Sequence, residues 1–377
     1  MRVAVVTESF LPHVNGVSNS VLRVLEHLSS GGHQAMVFAP ESDGLPREYA
    51  DFPFKGVPAI PIHNILSTGI PLALPSKKLA YKLEGFAPDI LHLASPFILG
   101  QYGAKVARKL SIPSLSIYQT DLAGFADHYG LNVAHQTLRK MVARIHSKTD
   151  RTLAPSRAAI ADLQEMGVEN VHLWRRGVNA ELFHPAKRNK NLHSLWSAYG
   201  ERLVVGYVGR LANEKRIHDL KFLDRDPSIQ LVIVGDGPAR EKLRNELPHA
   251  HFLGFQSGEN LAEIYASLDL FIHPGPNETF CQAVQEALAS GVPAIVPKTG
   301  GPADLVTHGQ TGYVINTHRP DDLEAAVLHF KLRNDRLIMR RTARESVESR
   351  TWRSINNQLI GHYEELITIN AQRGVVA

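Results

Sequence analysis

Two basic side chains in the second half of the sequence could together bind an anion. Arg210 follows an apolar run at residues 203–208 that predicts a buried strand, and Lys215 lies near the start of the next predicted helix. The guanidinium of Arg210 offers a planar fork of donors and Lys215 a compact charge, so both can contact one diphosphate. The spacing alone would favour two solvated surface cations. Their position at the carboxyl end of a strand favours the anion site.

The segment at residues 273–286 places two carboxylates around a predicted helix start. A predicted strand ends where this segment begins, and Thr279 with Gln282 matches a capping box that would begin a helix at Thr279. The free N–H groups of such a helix start are good phosphate ligands. Glu278 precedes the helix and Glu286 lies inside it, so each can accept hydrogen bonds from sugar or ribose hydroxyls. The alternative is a pair of solvated glutamates.

The spacing of these glutamates does not fit a glycosidase. Residues eight apart on a helix are separated by about 12 Å along its axis. The acid and nucleophile of a glycosidase have carboxyl groups only about 5 to 9.5 Å apart. The separation of Glu278 and Glu286 instead suits the two ends of an extended nucleotide sugar.

Short apolar runs alternate with helical patterns along most of the chain, which predicts parallel sheets covered by helices. In the first half, strands are predicted at residues 3–6, 35–38, 90–93, 114–118, 152–154 and 171–174. A polar, basic stretch at residues 185–192 is interpreted as the connection between two domains. In the second half, strands are predicted at residues 203–208, 231–234, 251–253, 270–273 and 294–296.

The length of 377 residues is too great for one hydrophobic core and suits two α/β domains. The first domain is predicted at residues 1–184 and the second at residues 185–351. Two open parallel sheets in tandem predict a ligand cleft between them, at the carboxyl ends of the strands.

The composition is that of a soluble globular protein, with 44% hydrophobic and 21% charged residues. The single cysteine, Cys281, excludes an intrachain disulfide and fits a reducing compartment. No segment resembles a signal peptide or approaches the roughly 18 apolar residues of a membrane span. We therefore expect a cytoplasmic protein that is soluble or peripheral. The formal charge of +4 suits anionic partners without choosing among them.

Several motifs in order carry a family resemblance. They lie at residues 8–17, 174–185, 210–215, 234–238, 252–254, 278–286 and 299–302. Together they resemble the family-four retaining glycosyltransferases of the GT-B fold, an α/β fold of two facing Rossmann-like domains. Residues 92–96 and 118–125 are similar to the actinobacterial lipid mannosyltransferases of phosphatidylinositol mannoside and mannosyl-glucuronosyl diacylglycerol synthesis. The fold would bring a predicted helix at residues 352–370 back onto the first domain.

The resemblance implies a GDP-mannose-dependent α-mannosyltransferase that acts on a lipid or glycolipid at the cytoplasmic face of the membrane. It implies a nucleotide-sugar donor, no tightly bound cofactor, no protein-held metal and no nucleic-acid partner. Three alternatives remain open. They are a transferase that uses a UDP-sugar, a sugar-nucleotide 2-epimerase of similar fold, and a non-catalytic binding protein.

The resemblance also implies roles for individual residues. Arg210 and Lys215 would neutralise the leaving diphosphate, Glu278 would hold the transferred sugar, and Glu286 would hold the ribose. In the second domain the donor site would further include Gly209, Gly235, Thr279, Phe280 and Cys281, with the backbone N–H groups of the last two meeting the β-phosphate. In the first domain, Asn15 and Gly16 would let the backbone approach the phosphate–sugar junction. Asp121 could orient the acceptor hydroxyl or cap a helix.

Gln119 departs from the family pattern, because many members have a histidine there. A glutamine can donate a hydrogen bond to a sugar hydroxyl but cannot become cationic, so a role that needs imidazole is in doubt.

Three other patterns do not favour function. Asp224-Arg225-Asp226 is a D-x-D before a proline, which we interpret as a solvated turn without a metal. Gly235-Asp236-Gly237 lacks the third glycine of a dinucleotide fingerprint, since position 240 is arginine. The basic segment at residues 135–151 could lie on anionic lipid, but a core-packed helix with a solvated face is the more common case.

Overall fold

The computed structural model describes residues 1–12, 15–42, 44–60, 72–74, 77–94, 97–119, 132–317 and 319–376. The chain divides into two compact units. The first comprises Met1–Arg176 with Arg353–Ala377, and the second comprises Gly177–Trp352.

The first unit is built on a sheet whose strand order is β10-β9-β8-β7-β1-β2-β4-β3. Its strands are β1 (Arg2–Val6), β2 (Gln34–Pro40), β3 (Glu48–Tyr49), β4 (Phe52–Val57), β7 (Ile90–Leu93), β8 (Ser114–Ile117), β9 (Arg151–Ala154) and β10 (Val171–Leu173). All neighbours pair in parallel except β3 and β4, which are antiparallel. Two further short strands, β5 (Ala59–Ile60) and β6 (Leu72–Ala73), form a separate antiparallel pair.

Helices cover both faces of this sheet, as buried parallel strands require. They are α1 (Gly16–Ser30), α2 (Lys77–Phe86), α3 (Ile98–Lys109), α4 (Asn132–His146), α5 (Arg157–Glu165) and, from Arg353 onward, α13 (Trp352–Val376). Helices α1 and α13 bury residues such as Leu25 and Tyr363 in one core cluster. Helices α2 and α3 bury Leu83 and Leu99 in a second core cluster. The strand residues of this cluster alternate along the chain with those of the first, so the two clusters lie on opposite faces of the sheet.

The second unit has a six-stranded parallel sheet of order β13-β12-β11-β14-β15-β16. Its strands are β11 (Leu203–Val208), β12 (Ile229–Val234), β13 (His251–Phe252), β14 (Leu270–Ile272), β15 (Ala294–Pro297) and β16 (Gly312–Ile315). Its helices are α6 (Lys190–Trp196), α7 (Lys221–Arg225), α8 (Arg240–Glu246), α9 (Gly258–Ser267), α10 (Gln282–Ala289), α11 (Pro320–Leu332) and α12 (Arg336–Glu345). The strands are almost entirely buried, so they appear in the sequence as continuous apolar runs.

The chain passes from the first unit to the second after Arg176, earlier than the connection we predicted at residues 185–192. Val178 and Phe183 are the reason, because both are buried in the core cluster of the second unit. The basic stretch that suggested a linker is also attached to this unit, since Arg188 pairs with Asp269 at 3.0 Å.

Among the described residues, no helix is both long enough and apolar enough to cross a membrane.

Candidate active site

The strand order of the second unit places a switch point between β11 and β14. The chain runs from β11 outward through β12 and β13, then returns to the other side of β11 as β14. Loops that follow neighbouring strands on opposite sides of such a point diverge and leave a crevice at the carboxyl edge of the sheet. The loop after β11 carries Arg210 and Lys215, and the loop after β14 carries Glu278.

Glycines bring the backbones of these loops close together. Gly275 lies against the turn that holds Lys215, since a Cβ at position 275 would be 3.0 Å from the Lys215 Cα. Gly235 has a φ of +128°, and a Cβ there would collide with the carbonyl oxygen of Gly209. The N–H of Gly301 donates to the Glu278 carbonyl oxygen at 2.7 Å. Contacts between backbone atoms therefore hold these loops in place.

Lys215 and Glu278 form the central contact of the site. The Lys215 Nζ donates to the Glu278 Oε1 at 2.7 Å, and the two side chains are only 18% and 24% exposed. The buried His273 lies beside them, with its Nε2 at 3.6 Å from the same carboxylate oxygen. This places a cation, an acceptor and an imidazole within reach of one small polar ligand.

The charges of this group are set by burial and by proximity. Burial opposes the charge on Lys215, but the carboxylate of Glu278 outweighs it, and the pKa of Lys215 is raised. Burial lowers the pKa of His273 to about 4 against the attraction of Glu278, so the imidazole is neutral at pH 7. Of Lys215 and His273, only Lys215 is therefore cationic at neutral pH. His273 can form hydrogen bonds only as a neutral imidazole.

Arg210 borders this group through its backbone. The Tyr207 hydroxyl donates to the Arg210 carbonyl oxygen at 3.1 Å, and the Tyr207 ring stacks on His273 with centroids 6.0 Å apart. The guanidinium of Arg210 is exposed, and no described residue accepts a hydrogen bond from it. The structure therefore brings Lys215 and Glu278 together and leaves the Arg210 side chain open to an anion.

The predicted helix start at Thr279 is wrong. Helix α10 begins at Gln282, with Cys281 preceding it in a left-handed conformation of φ 76° and without a side-chain cap. The Gln282 side chain donates instead to the Gly177 carbonyl oxygen at 3.0 Å. A non-glycine residue with this φ costs roughly 1–3 kcal/mol, and such strain is concentrated at functional sites. The backbone of Thr279 and Phe280 thus belongs to the loop rather than to the helix.

Glu286 is the fifth of the eight residues of α10 and is partly buried. Burial raises the pKa of Glu286 to about 7, although the neighbouring Tyr265 and Gln282 side chains oppose the shift. The protonated form of the carboxyl group is therefore populated at neutral pH. In this state it can both donate and accept hydrogen bonds, as the hydroxyls of a ribose require.

This raised pKa predicts a pH-dependent stability. The folded protein opposes the ionisation of a carboxyl group whose pKa rises on folding. The free energy of unfolding should therefore fall as the pH rises from about 4.5 to about 7. Glu286→Gln should raise the melting temperature relative to wild type more at about pH 8 than at about pH 5. The exposed Glu259→Gln serves as control. An equal difference at both pH values would contradict a raised pKa at this position.

His273, Glu278 and Cys281 have potential metal-ligand atoms that all lie within 4.8 Å of one another. Two features oppose a metal there. The Lys215 ammonium already supplies a cation to Glu278, and burial raises the pKa of the Cys281 thiol, whereas a metal ligand must be a thiolate. The absence of a protein-held metal stays a prediction.

The predicted site residues of the first unit lie at the carboxyl end of β1. Asn15 caps α1, because its side-chain oxygen accepts from the N–H groups of Val17 at 2.9 Å and Ser18 at 3.1 Å. Gly16 is the first residue of this helix, and a Cβ there would meet no atom within 4 Å. The first unit alone therefore does not require glycine at position 16. A ligand that approaches the backbone at position 16 would require glycine there.

Gln119 is held by its neighbours in the first unit. Its amide nitrogen donates to the Ala94 carbonyl oxygen at 2.8 Å, and its oxygen accepts from Arg176 at 2.6 Å. The same guanidinium donates to the Gly16 carbonyl oxygen at 2.7 Å. Gln119 and Arg176 thus connect the loops after β1, β7 and β8. A glutamine oxygen suits this position because a cationic imidazole would repel Arg176.

Glu8, which the sequence analysis gave no role, lies at the same edge of the first sheet. One oxygen of its buried carboxyl group accepts from the N–H groups of Leu99 at 2.6 Å and Gly100 at 3.3 Å, at the start of α3. Burial raises the pKa of Glu8 to about 8 against these hydrogen bonds. Its sequence signals were its position two residues after a strand and its place at the start of the motif at residues 8–17.

Other sequence predictions are resolved as follows. Asp121 lies outside the described residues. Asp224 is a buried residue of α7 rather than part of a solvated turn, and it accepts from the N–H of His249 at 3.1 Å. The basic segment at residues 135–151 lies in α4 as far as His146, and this helix buries Val142 and Ile145. Its Arg139 pairs with Asp162 of α5 at 2.7 Å.

Comparisons with known proteins match both halves of the chain. A model described as glycosyltransferase family 4 matches residues 14–182, and one described as glycosyl transferases group 1 matches residues 190–346. A GDP-mannose-dependent alpha-mannosyltransferase of Mycolicibacterium smegmatis is 46% identical over 375 residues, which are 97% of this chain and 98% of the relative.

A second relative is less similar but also spans the chain. The GDP-mannose-dependent alpha-(1-6)-phosphatidylinositol dimannoside mannosyltransferase of Mycobacterium tuberculosis is 29% identical over 364 residues, with 93% of each chain covered. Among solved structures, Anabaena HepE in complex with UDP superimposes with a TM-score of 0.78 at 19% identity, covering 97% of this chain and all of that one. The predicted fold of two Rossmann-like domains is confirmed.

Proposed function

Because the chain belongs to the family of group 1 and family 4 glycosyltransferases, we propose that it transfers mannose from GDP-mannose to a lipid or glycolipid acceptor. The contact between Lys215 and Glu278 at the switch point of the second sheet carries this proposal. It joins a cation for a leaving diphosphate to a carboxylate for sugar hydroxyls at the edge where ligands of such sheets bind. The names of the relatives support the donor and the class of acceptor.

We assign the donor to the second unit. Lys215 and the exposed Arg210 contact the two phosphates, together with the backbone N–H groups of Phe280 and Cys281. Glu278 accepts hydrogen bonds from the mannose hydroxyls, and Glu286 binds the ribose. Gly209, Gly235 and Thr279 shape the loops so that the backbone can approach the donor.

Bond cleavage moves negative charge onto the β-phosphate and positive charge onto the anomeric carbon. Fixed donors at the phosphate stabilise this charge separation, and they need not reorganise as it develops. His273 is neutral and therefore does not compete with Lys215 for the carboxylate of Glu278. The leaving phosphate accepts the proton of the acceptor hydroxyl, so attack proceeds on the face that the diphosphate leaves, with retention.

Asn15 and the accessible backbone at Gly16 approach the phosphate–sugar junction of the donor, and we assign the acceptor to the first unit. Arg176 and Gln119 hold the loops around it. A lipid acceptor places the enzyme at the cytoplasmic membrane surface as a peripheral protein. Nucleotide sugar and glycolipid are then its two partners.

A panel of nucleotide sugars tests the donor. GDP-mannose should raise the melting temperature, by mass action, at lower concentration than UDP-glucose, UDP-galactose or GDP-glucose. A UDP-sugar that stabilises the protein while GDP-mannose does not would contradict the proposed donor.

Product analysis separates transfer from isomerisation. With a lipid extract as acceptor source, free GDP should be released only when acceptor is added, and labelled mannose should move to the organic phase. Release of nucleotide at the same rate without acceptor, or an epimerised sugar, would contradict a transferase.

A further inference from the structure

A cavity of about 770 Å³ lies at the opposite edge of the second sheet from the donor site. Leu203, the first residue of β11, and Asp269, which precedes β14, both line it. It is therefore formed at the amino ends of the two strands whose carboxyl ends carry Lys215 and Glu278. No role in glycosyl transfer accounts for it.

Cations dominate the lining of this cavity. It contains Arg188, Arg202, Lys331, Arg333, Arg336 and Arg340. The acidic side chains in the lining are Glu201 and Asp269. Such an excess of one sign of charge in a concave site concentrates ions of the opposite sign.

The lining holds two arginines that donate to the same backbone carbonyl groups, and among the described residues only Arg188 of the two pairs with a carboxylate. Arg188 donates to the Leu268 carbonyl oxygen at 3.1 Å, and Arg340 donates to the same oxygen at 2.8 Å. Asp269 is shared between Arg188 and His193, each at 3.0 Å. Burial and the charge of Arg188 lower the pKa of Arg340 to about 10, so it remains cationic at neutral pH. An anion would relieve this repulsion.

Two arginines at the rim form few contacts with the rest of the protein. Arg202 and Arg336 are both exposed. Arg202 makes a long hydrogen bond of 3.3 Å to Gln230, and within the described parts of the chain no acceptor contacts the guanidinium of Arg336. The other two cations are already engaged, since Lys331 donates to Ser228 and Arg333 forms two hydrogen bonds with Asp335.

The start of α12 adds to the positive potential. Asp335 precedes this ten-residue helix but gives no side-chain cap, because Arg333 holds both of its carboxylate oxygens at 2.7 and 2.6 Å. The first N–H groups of the helix are therefore left without a side-chain cap beside Arg336, which lines the cavity.

We propose that this cavity is a second anion-binding site, which takes a ligand with phosphate groups and at least two negative charges through Arg202, Arg336 and Arg340. Arginine forks match phosphate oxygens, and the volume lies within the range of small-molecule pockets, about 300–1,000 Å³. The phosphate belongs either to a soluble ester or to a lipid headgroup. Leu337 lines the cavity and is 82% exposed, so it could enter a bilayer in the second case.

Calorimetric titration with pyrophosphate tests the site. Wild type should bind at two sites, of which Lys215→Met should weaken only the one at Lys215. Arg202→Ala with Arg336→Ala should weaken the other by at least about tenfold. Arg341→Ala is the matched control, because Arg341 is an exposed arginine of the same helix outside the cavity lining. It should bind like wild type, and the donor-induced thermal shift should be the same in wild type, the double variant and this control.

Vesicle sedimentation separates the two sources of phosphate. Phosphatidylcholine vesicles with and without phosphatidylglycerol are compared for wild type, the double variant and Leu337→Ser. If the double variant and Leu337→Ser both lose binding to anionic vesicles, the ligand is a lipid headgroup. If the double variant loses pyrophosphate binding but keeps its binding to vesicles, the ligand is a soluble ester. The proposal is overturned if the double variant matches wild type in both measurements, or if wild type shows a single pyrophosphate site and no preference for anionic vesicles.

Discussion

Glu278→Gln is expected to lower kcat by about 10²–10³-fold, the loss typical of removing one electrostatic contact to the reacting groups. The substitution keeps the size of the side chain and an oxygen that can accept from Lys215. It removes the negative charge that stabilises the developing charge on the sugar. Initial rates of mannose transfer at saturating GDP-mannose measure the effect. Glu259→Gln is the control, because Glu259 is the acidic partner of an exposed pair in the same unit.

The kinetic pattern is as informative as the size of the loss. A contact made mainly in the transition state lowers kcat and kcat/KM together, whereas a contact made equally in the ground state raises KM alone. We expect kcat and kcat/KM to fall together. An unchanged kcat in Glu278→Gln, with the control also unchanged, would exclude a role for this carboxylate in the chemical step.

Lys215→Met is expected to lower kcat/KM for GDP-mannose by a similar factor of about 10²–10³, because the leaving diphosphate loses its nearest buried cation. The variant should also lose about 1–3 kcal/mol of stability, since the partly buried Glu278 loses the cation beside it. Transfer kinetics and urea unfolding measure the two effects. Lys187→Met breaks the exposed pair with Glu259 and should change both by little.

Combining the two substitutions separates stability from catalysis. Lys215→Met with Glu278→Gln leaves no unpaired charge, so unfolding free energy should return toward wild type while activity stays lost. If the double variant is no more stable than Lys215→Met alone, the contact of 2.7 Å between the two side chains does not contribute as described.

The sheets of both units were predictable because their strands are buried and parallel. Residues such as Val205 and Leu270 lie in runs with almost no polar interruption, which is the pattern of strands covered on both faces. The edge strands β10 and β13 were predicted, whereas β3, β4, β5, β6 and β16 were not. Glu48–Tyr49 and Ala59–Ile60 have two residues each and partly exposed side chains, so no periodicity marks them.

The loop before α10 shows where local pattern fails. Thr279 and Gln282 satisfy a capping-box pattern, yet the helix begins at Gln282. The contact of Gly301 with the Glu278 carbonyl oxygen fixes the loop from a distant part of the chain. Such a tertiary contact is invisible to a rule that considers only neighbouring residues.

The candidate site was predictable in part for the same reason. Positions after strands indicated Arg210, Lys215 and Glu278, since the carboxyl ends of parallel strands meet at one edge. The neutral state of His273, which stacks on the Tyr207 ring next to Glu278, depends on its burial. Burial of one side chain by another follows from packing, which the spacing of residues does not specify.

The location of the bound nucleotide tests the central claim most directly. A crystal structure with GDP should place the diphosphate within hydrogen-bond distance of the Lys215 Nζ and the backbone N–H groups of Phe280 and Cys281. Glu278 should remain beside Lys215, next to the position of the transferred sugar. A diphosphate bound away from Lys215, or only in the cavity lined by Arg202 and Arg336, would contradict the proposed donor site.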